Sequence, residues 1–120
     1  MGRASHHAFQ VLTKRATRLA TLAPRLRWPV NVWIGVSVES PRYCWRIDSL
    51  RNIPAAVRFV SAEPLLEALP NLNLERIHWL ITGGESQPGA RLAEVNRFED
   101  LRDQCQQAGV AFFLDRKSVV

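Results

Sequence analysis

Three stretches of one form constrain this chain more than anything else in it. They are Ile34-Gly-Val-Ser-Val-Glu39-Ser, Arg58-Phe-Val-Ser-Ala-Glu63-Pro and Leu80-Ile-Thr-Gly-Gly-Glu85-Ser. Each passes from apolar residues through small ones to a glutamate, and Ser or Pro follows. The glutamates are 24 and 22 residues apart, from 39 to 63 and from 63 to 85. A parallel strand connection needs a dozen or more residues. The interval therefore fits one buried strand, one crossover and the next parallel strand. The pattern predicts three consecutive β/α units, each with a carboxylate where its strand ends.

Alternation along the strands agrees. Residues two apart share a face of a strand. Counting back from the glutamates, one face carries Ser37 and Gly35, Ser61 and Phe59, Gly83 and Ile81. The other carries Val38, Val36 and Ile34, then Ala62 and Val60, then Gly84, Thr82 and Leu80. The second face is apolar enough to lie under helices, while the first becomes small and polar toward the glutamate. Ligands of parallel α/β folds bind at the carboxyl ends of the strands. A single glutamate in such a place is more often a helix cap or the partner of an arginine. Three in register point instead to a common mouth. The candidate ligand-binding residues are Lys14, Ser37, Glu39, Ser61, Glu63, Gly83, Gly84 and Glu85, and none is assigned a catalytic role.

In chain order, Ala8 to Thr13 reads as a first strand, ending in Lys14 and Arg15 where the later strands end in glutamates. A cation at Lys14 suits an anionic ligand, a pair with the carboxylates, or simple exposure at a helix start. Ala16 to about Ala23 reads as a helix with Leu19, Leu22 and Ala23 on its apolar face, stopped by Pro24. The second strand spans about Asn31 to Val38. Ser40-Pro41 has the form of an N-cap with proline at the first helical position, opening a helix to about Arg51. The third strand is about Ala56 to Ala62, followed by a short turn or helix, Leu65 to Leu69. Asn71 to Glu75 is irregular. The fourth strand is Ile77 to Thr82. Asn96 and Glu99 have capping-box spacing and predict a helix start, with Phe98, Leu101, Cys105 and Ala108 on the buried face. Gly109 suits its C-terminal cap. Ala111 to Leu114 is a fifth strand. Strands alternating with helices specify an α/β fold of about five parallel strands. The arrangement is either a partial (β/α) barrel or an open doubly wound sheet. One domain over residues 1–120 accounts for the chain, with residues 1–6 as an uncertain start.

Composition narrows the partners. Hydrophobic residues make up 47%, which belongs to a globular protein. No apolar run approaches the ~18 residues of a membrane span, and Met1-Gly-Arg-Ala-Ser has no secretory core. The expectation is a cytoplasmic protein with no membrane partner. The 16 basic and 11 acidic residues leave a net charge of +5. Its one concentration, Lys14, Arg15, Arg18, Arg25 and Arg27, reads as a solvated helix face before it reads as a nucleic-acid site, since no recognition motif accompanies it. His6-His7 is a weak metal signal. Cys44 and Cys105 have no metal-ligand spacing and are expected as buried free thiols. The four tryptophans, Trp28, Trp33, Trp45 and Trp79, read as packing residues.

Five segments resemble one family. They are His7-Ala-Phe-Gln-Val-Leu-Thr-Lys-Arg15, Val32-Trp-Ile-Gly-Val-Ser-Val-Glu39, Val57-Arg-Phe-Val-Ser-Ala-Glu-Pro-Leu-Leu66, Gly83-Gly-Glu-Ser86 and Leu101-Arg-Asp-Gln-Cys-Gln-Gln-Ala-Gly-Val110. In this order they are similar to the phage gene-product thirty-seven/sixty-eight family, over about residues 7 to 113. The resemblance implies a relation to radical S-adenosylmethionine enzymes. Full-length members begin with a cysteine motif suited to a four-iron four-sulfur cluster and continue into a partial (β/α) barrel. Cluster ligation needs grouped thiolates, and this chain has none. It corresponds to the C-terminal half, so no cofactor is expected on it, and an N-terminal half is the expected partner. In those enzymes a Gly-Gly-Glu motif after an early strand holds the cofactor's amino group. Gly83-Gly84-Glu85 follows the fourth strand, so that role is not carried over.

Both ends carry expectations of their own. Met1 reads as an internal methionine. Asp115-Arg-Lys-Ser-Val-Val120 matches a translated sequencing adapter, which suggests a metagenomic fragment with a non-native tail at 115–120. Two functional expectations result. One is the C-terminal part of a radical S-adenosylmethionine-like protein, inactive alone. The other is a non-catalytic basic module that contacts nucleic acid.

Overall fold

The computed structural model describes residues 9–22, 31–83 and 92–115. Five strands form one parallel sheet in the order in which they occur along the chain. They are β1 (Phe9–Thr13), β2 (Val32–Ser37), β3 (Val57–Ala62), β4 (Trp79–Thr82) and β5 (Ala111–Leu114). The helices are α1 (Ala16–Leu22), α2 (Trp45–Arg51) and α3 (Leu92–Ala108). The α/β class and the five parallel strands expected from the repeated units are both present. The strand order contains no reversal, the point at which a doubly wound sheet changes faces. Right-handed crossovers that always step the same way bring every helix to one side.

That side holds the core. Ile34, Val36 and Val38 from β2 and its end, Val60 and Ala62 from β3, and Leu80 from β4 are almost fully buried. They form one cluster with Ile47 and Leu50 of α2 and with Leu101 and Cys105 of α3. These are the residues that alternation assigned to the helix-covered face. Each large aliphatic side chain buried in this way contributes roughly 1.5–3 kcal/mol.

The opposite face has no helix from among the described residues, and it is organised in layers set by the strand register. Gly35, Phe59, Trp79 and Ala111 align across β2 to β5. Toward the carboxyl ends, Ser37, Ser61, Ile81 and Phe113 align next. The lower part of this face is filled by aromatic rings. Phe59 stacks on Trp79 with ring centres 4.1 Å apart. Trp33 and Phe113 meet Trp79 edge-on at 6.3 and 5.9 Å. A Cβ at position 35 would run into the Phe59 ring, so the absent side chain of Gly35 is what lets the ring lie down. Phe59 is 4% exposed with no described helix above it.

Several elements differ from expectation. The helix expected from Pro41 is split into a 3₁₀ turn, Pro41–Tyr43, and α2 from Trp45. Ser40 makes no side-chain cap bond, and the turn closes through Tyr43 and Cys44 N–H groups donating three residues back. Helix α3 already runs at Leu92, so Asn96 and Glu99 lie within it and do not cap it. Leu92, Ala93 and Glu94 are good helix formers and carry the helix past the Asn. Its other end is as expected. Gly109 has φ +72°, Gly109 N–H donates to Gln106 O and Val110 N–H to Cys105 O, the Schellman arrangement. Ala108 is exposed, so α3 buries Leu101 and Cys105 but not that residue. On α1, Ala16 is buried while Leu22 is exposed. Leu65 to Leu69 forms no helix, and the whole β3–β4 crossover is irregular.

Candidate functional site

The sequence-derived candidates Lys14, Ser37, Glu39, Ser61, Glu63 and Gly83 lie at the carboxyl ends of β1 to β4. Backbone hydrogen bonds tie those ends together. Val38 N–H donates to Ser61 O at 2.9 Å. Beyond β3 the chain turns through a cis Glu63–Pro64 peptide. Leu65 N–H then donates to Gly83 O at 2.7 Å, and Leu66 N–H to Glu39 O at 3.1 Å. One short segment thus spans the ends of β2, β3 and β4. Gly84 and Glu85 lie outside the described residues, as do His6, His7, Arg25, Arg27 and Trp28.

Glu39 is the centre of the rim. Only 9% of it is exposed. Lys14 Nζ lies 3.3 Å from its Oε1, and Arg46 Nη1 lies 3.8 Å from its Oε2. Of the readings open for Lys14, the pair with a strand-end carboxylate is the one present. Arg46 is buried. Its Nη1 donates to Ser37 O at 2.9 Å, and its guanidinium lies 4.2 Å from the centre of the Tyr43 ring. That is cation–π range. Its Nε is buried without a hydrogen-bond partner. Sequence reasoning missed Arg46. The available signal was its position seven residues beyond Glu39, since the Ser40-Pro41 turn folds the start of α2 back over the end of β2.

Ser37 and Ser61 are Cα partners on the face that no described helix covers. Both are buried. Lys14 follows Thr13, whose register partner is Val36, so it takes the level of Ser37 on the next strand over. The rim therefore presents Lys14, Ser37 and Ser61 at one level at the ends of three adjacent strands, with Glu39 two residues beyond Ser37 and Arg46 reaching Ser37 O from α2. Glu63 is half-buried and makes contacts of its own.

The profile of the family described as Protein of unknown function (DUF5131) matches residues 1–118. The chain belongs to this family. No curated protein and no solved structure matches it. For this DUF5131 chain the site itself carries the functional argument.

The described residues do not fit a thiolate-held iron–sulfur cluster. Cys44 is half-buried just before α2, Cys105 is buried in α3, and no group of three or more His, Cys, Asp or Glu among the described residues is placed to hold a metal ion. Burial pushes both thiols up, Cys105 to about 11, away from the thiolate that ligation requires. Among the described helices none is long and apolar enough to cross a membrane. A groove of about 340 Å³ lies between Cys44, Trp45, Ile47 and Asp48 on one side and Pro70–Asn73 on the other. Its one described carboxylate, Asp48, is engaged by Arg51.

Proposed function

We propose that this chain is one portion of a larger (β/α) barrel of the radical S-adenosylmethionine-like type, and that its strand-end residues line the ligand pocket of the whole. The observation that carries the proposal is the gathering of Lys14, Ser37, Glu39 and Ser61 at the carboxyl ends of three adjacent parallel strands. That is where such folds bind ligands. The order of the strands, and the face free of described helices that becomes the inside of a barrel, support it further. The resemblance to the phage gene-product thirty-seven/sixty-eight family supplies the reaction class. Iron–sulfur chemistry would come from the cluster-bearing portion, because the thiols here do not suit it. The polar rim of this chain holds and orients a ligand, and its buried apolar side gives the sheet rigidity. A cytoplasmic setting goes with this reading.

The chain alone is therefore expected to be inactive. Incubated with S-adenosylmethionine under strong reduction, the purified protein should leave the sulfonium intact by mass spectrometry. Cleavage above the protein-free rate refutes the proposal.

A second reading, a basic module on nucleic acid, has support in the exposed Arg15 just before α1, the exposed Arg18 on it, and the net charge of +5. It expects binding that falls steeply with salt. It also expects Arg18→Glu to weaken binding more than Glu39→Gln.

A further inference from the structure

We infer that the rim selects an oxyanion, the phosphate or carboxylate end of a ligand. This inference rests on the pocket reading above and names the chemistry it takes. The reason is the surplus of positive charge around Glu39. Glu39 is flanked by two cations, so the triad of Lys14, Glu39 and Arg46 has a surplus positive charge. Lys14 reaches outward, with its side chain 70% exposed, and an ammonium carries three donors. Arg46 is buried with one guanidinium N–H unused. That N–H is closed to solvent, so Arg46 contributes charge at the rim and not a contact with the ligand.

The two serines bring hydroxyls, each able to donate one hydrogen bond, to the same level. The serines are register partners on neighbouring strands, with backbones about 5 Å apart at strand spacing. Both residues are largely buried, yet neither hydroxyl is among the fully buried polar atoms that lack a partner, so both stay open to the mouth. Together with Lys14, they offer three donors from three strands. An oxyanion accepts several such bonds at once, and charge-assisted hydrogen bonds are the strong kind. A cationic ligand would meet Lys14 first and would have to displace it from Glu39. The layer below is already filled by Phe59 and Trp79. The anion would therefore sit at the mouth and not deep in the sheet.

The test is a nuclear magnetic resonance titration of the full chain at fixed ionic strength. Inorganic phosphate and acetate serve as the two oxyanion probes, with methylammonium as the opposite charge. Saturable shifts of the Lys14, Ser37 and Ser61 amides with phosphate or acetate are expected, and whichever binds more tightly identifies the group. Lys14→Gln and Ser61→Ala should each weaken binding by roughly tenfold, the scale of a hydrogen bond to a charged group. Glu39→Gln frees both cations and should tighten it. Methylammonium binding in place of the anions overturns the inference, and so do weaker anion binding in Glu39→Gln or no saturable shift at all. Those outcomes leave the inactivity of the isolated chain untouched. Conversely, S-adenosylmethionine cleavage by the chain would refute the pocket reading without altering the anion titration.

Discussion

At the scale of single residues, Gly35 and Phe59 show how this sheet closes a face that no described helix covers. The glycine is present for space, since the ring occupies the volume of the missing Cβ. Gly35→Ala should destabilise the protein by about 1–3 kcal/mol, the cost of overpacking. Combining it with Phe59→Leu should recover part of that loss, and urea denaturation of the single and double variants measures the coupling. Cys105 gives a different prediction. Burial raises its folded pKa to about 11 from an ordinary value near 9. A raised folded pKa means that the stability is intact below the unfolded value and is lost as pH climbs through the folded one. The protein should lose about 2–3 kcal/mol between pH 9 and 11 from this thiol. Cys105→Ala, less stable at neutral pH, should show a correspondingly flatter decline over that window. Of the rim, Lys14, Ser37, Glu39, Ser61 and Glu63 were legible from alternation and strand-end position. Arg46 was not, because its place depends on a turn whose direction no periodicity records.

At the scale of elements, the β3–β4 crossover replaces a helix with side-chain hydrogen bonds. Loop backbone groups near a core must find partners. Gln104 of α3 donates from Nε2 to Leu69 O at 2.7 Å and accepts from Leu72 N–H at 2.8 Å. Arg51 of α2 holds Asn73 O and Glu75 O, and Arg58 of β3 holds Arg76 O. The crossover still buries Leu65, Leu69, Leu74 and Ile77. Gln104→Ala strips two backbone groups of their partners at once and should cost about 1–3 kcal/mol. Gln106→Ala, on the exposed side of the same helix, should change stability by less than about 0.5 kcal/mol. A similar cost for both in urea midpoints would refute this role. The strands were legible because buried parallel strands read as apolar runs. The start of α3 was not. Asn96 and Glu99 satisfy a local capping rule, and the good helix formers before them overrule it.

At the scale of the molecule, the largest question is the two sheet edges. Among the described residues, β1 and β5 each have one side without a strand partner in the sheet. Leu12 on β1 is 51% exposed and Phe113 on β5 is 52% exposed. Unprotected edges invite pairing with another chain. The protein should associate as concentration rises in sedimentation velocity, and Leu12→Lys should shift the distribution toward monomer. An unchanged distribution would refute that role for β1. That the strands are parallel and alternate with helices was implicit in three evenly spaced repeats, while their order was left open between a partial barrel and a doubly wound sheet. What completes the edges is a property of surfaces, and the apolar pattern of strands does not encode it. The aromatic layer beneath the serines carries a last consequence. Three more β/α units would bring this sheet to the eight of a closed barrel, yet the lower half of such a barrel would already be plugged by Trp33, Phe59 and Trp79. Whatever enters would be stopped at the depth of Ser37 and Ser61, so the completed cavity would be a shallow cup open at its lip, admitting one end of a molecule while the remainder stays outside.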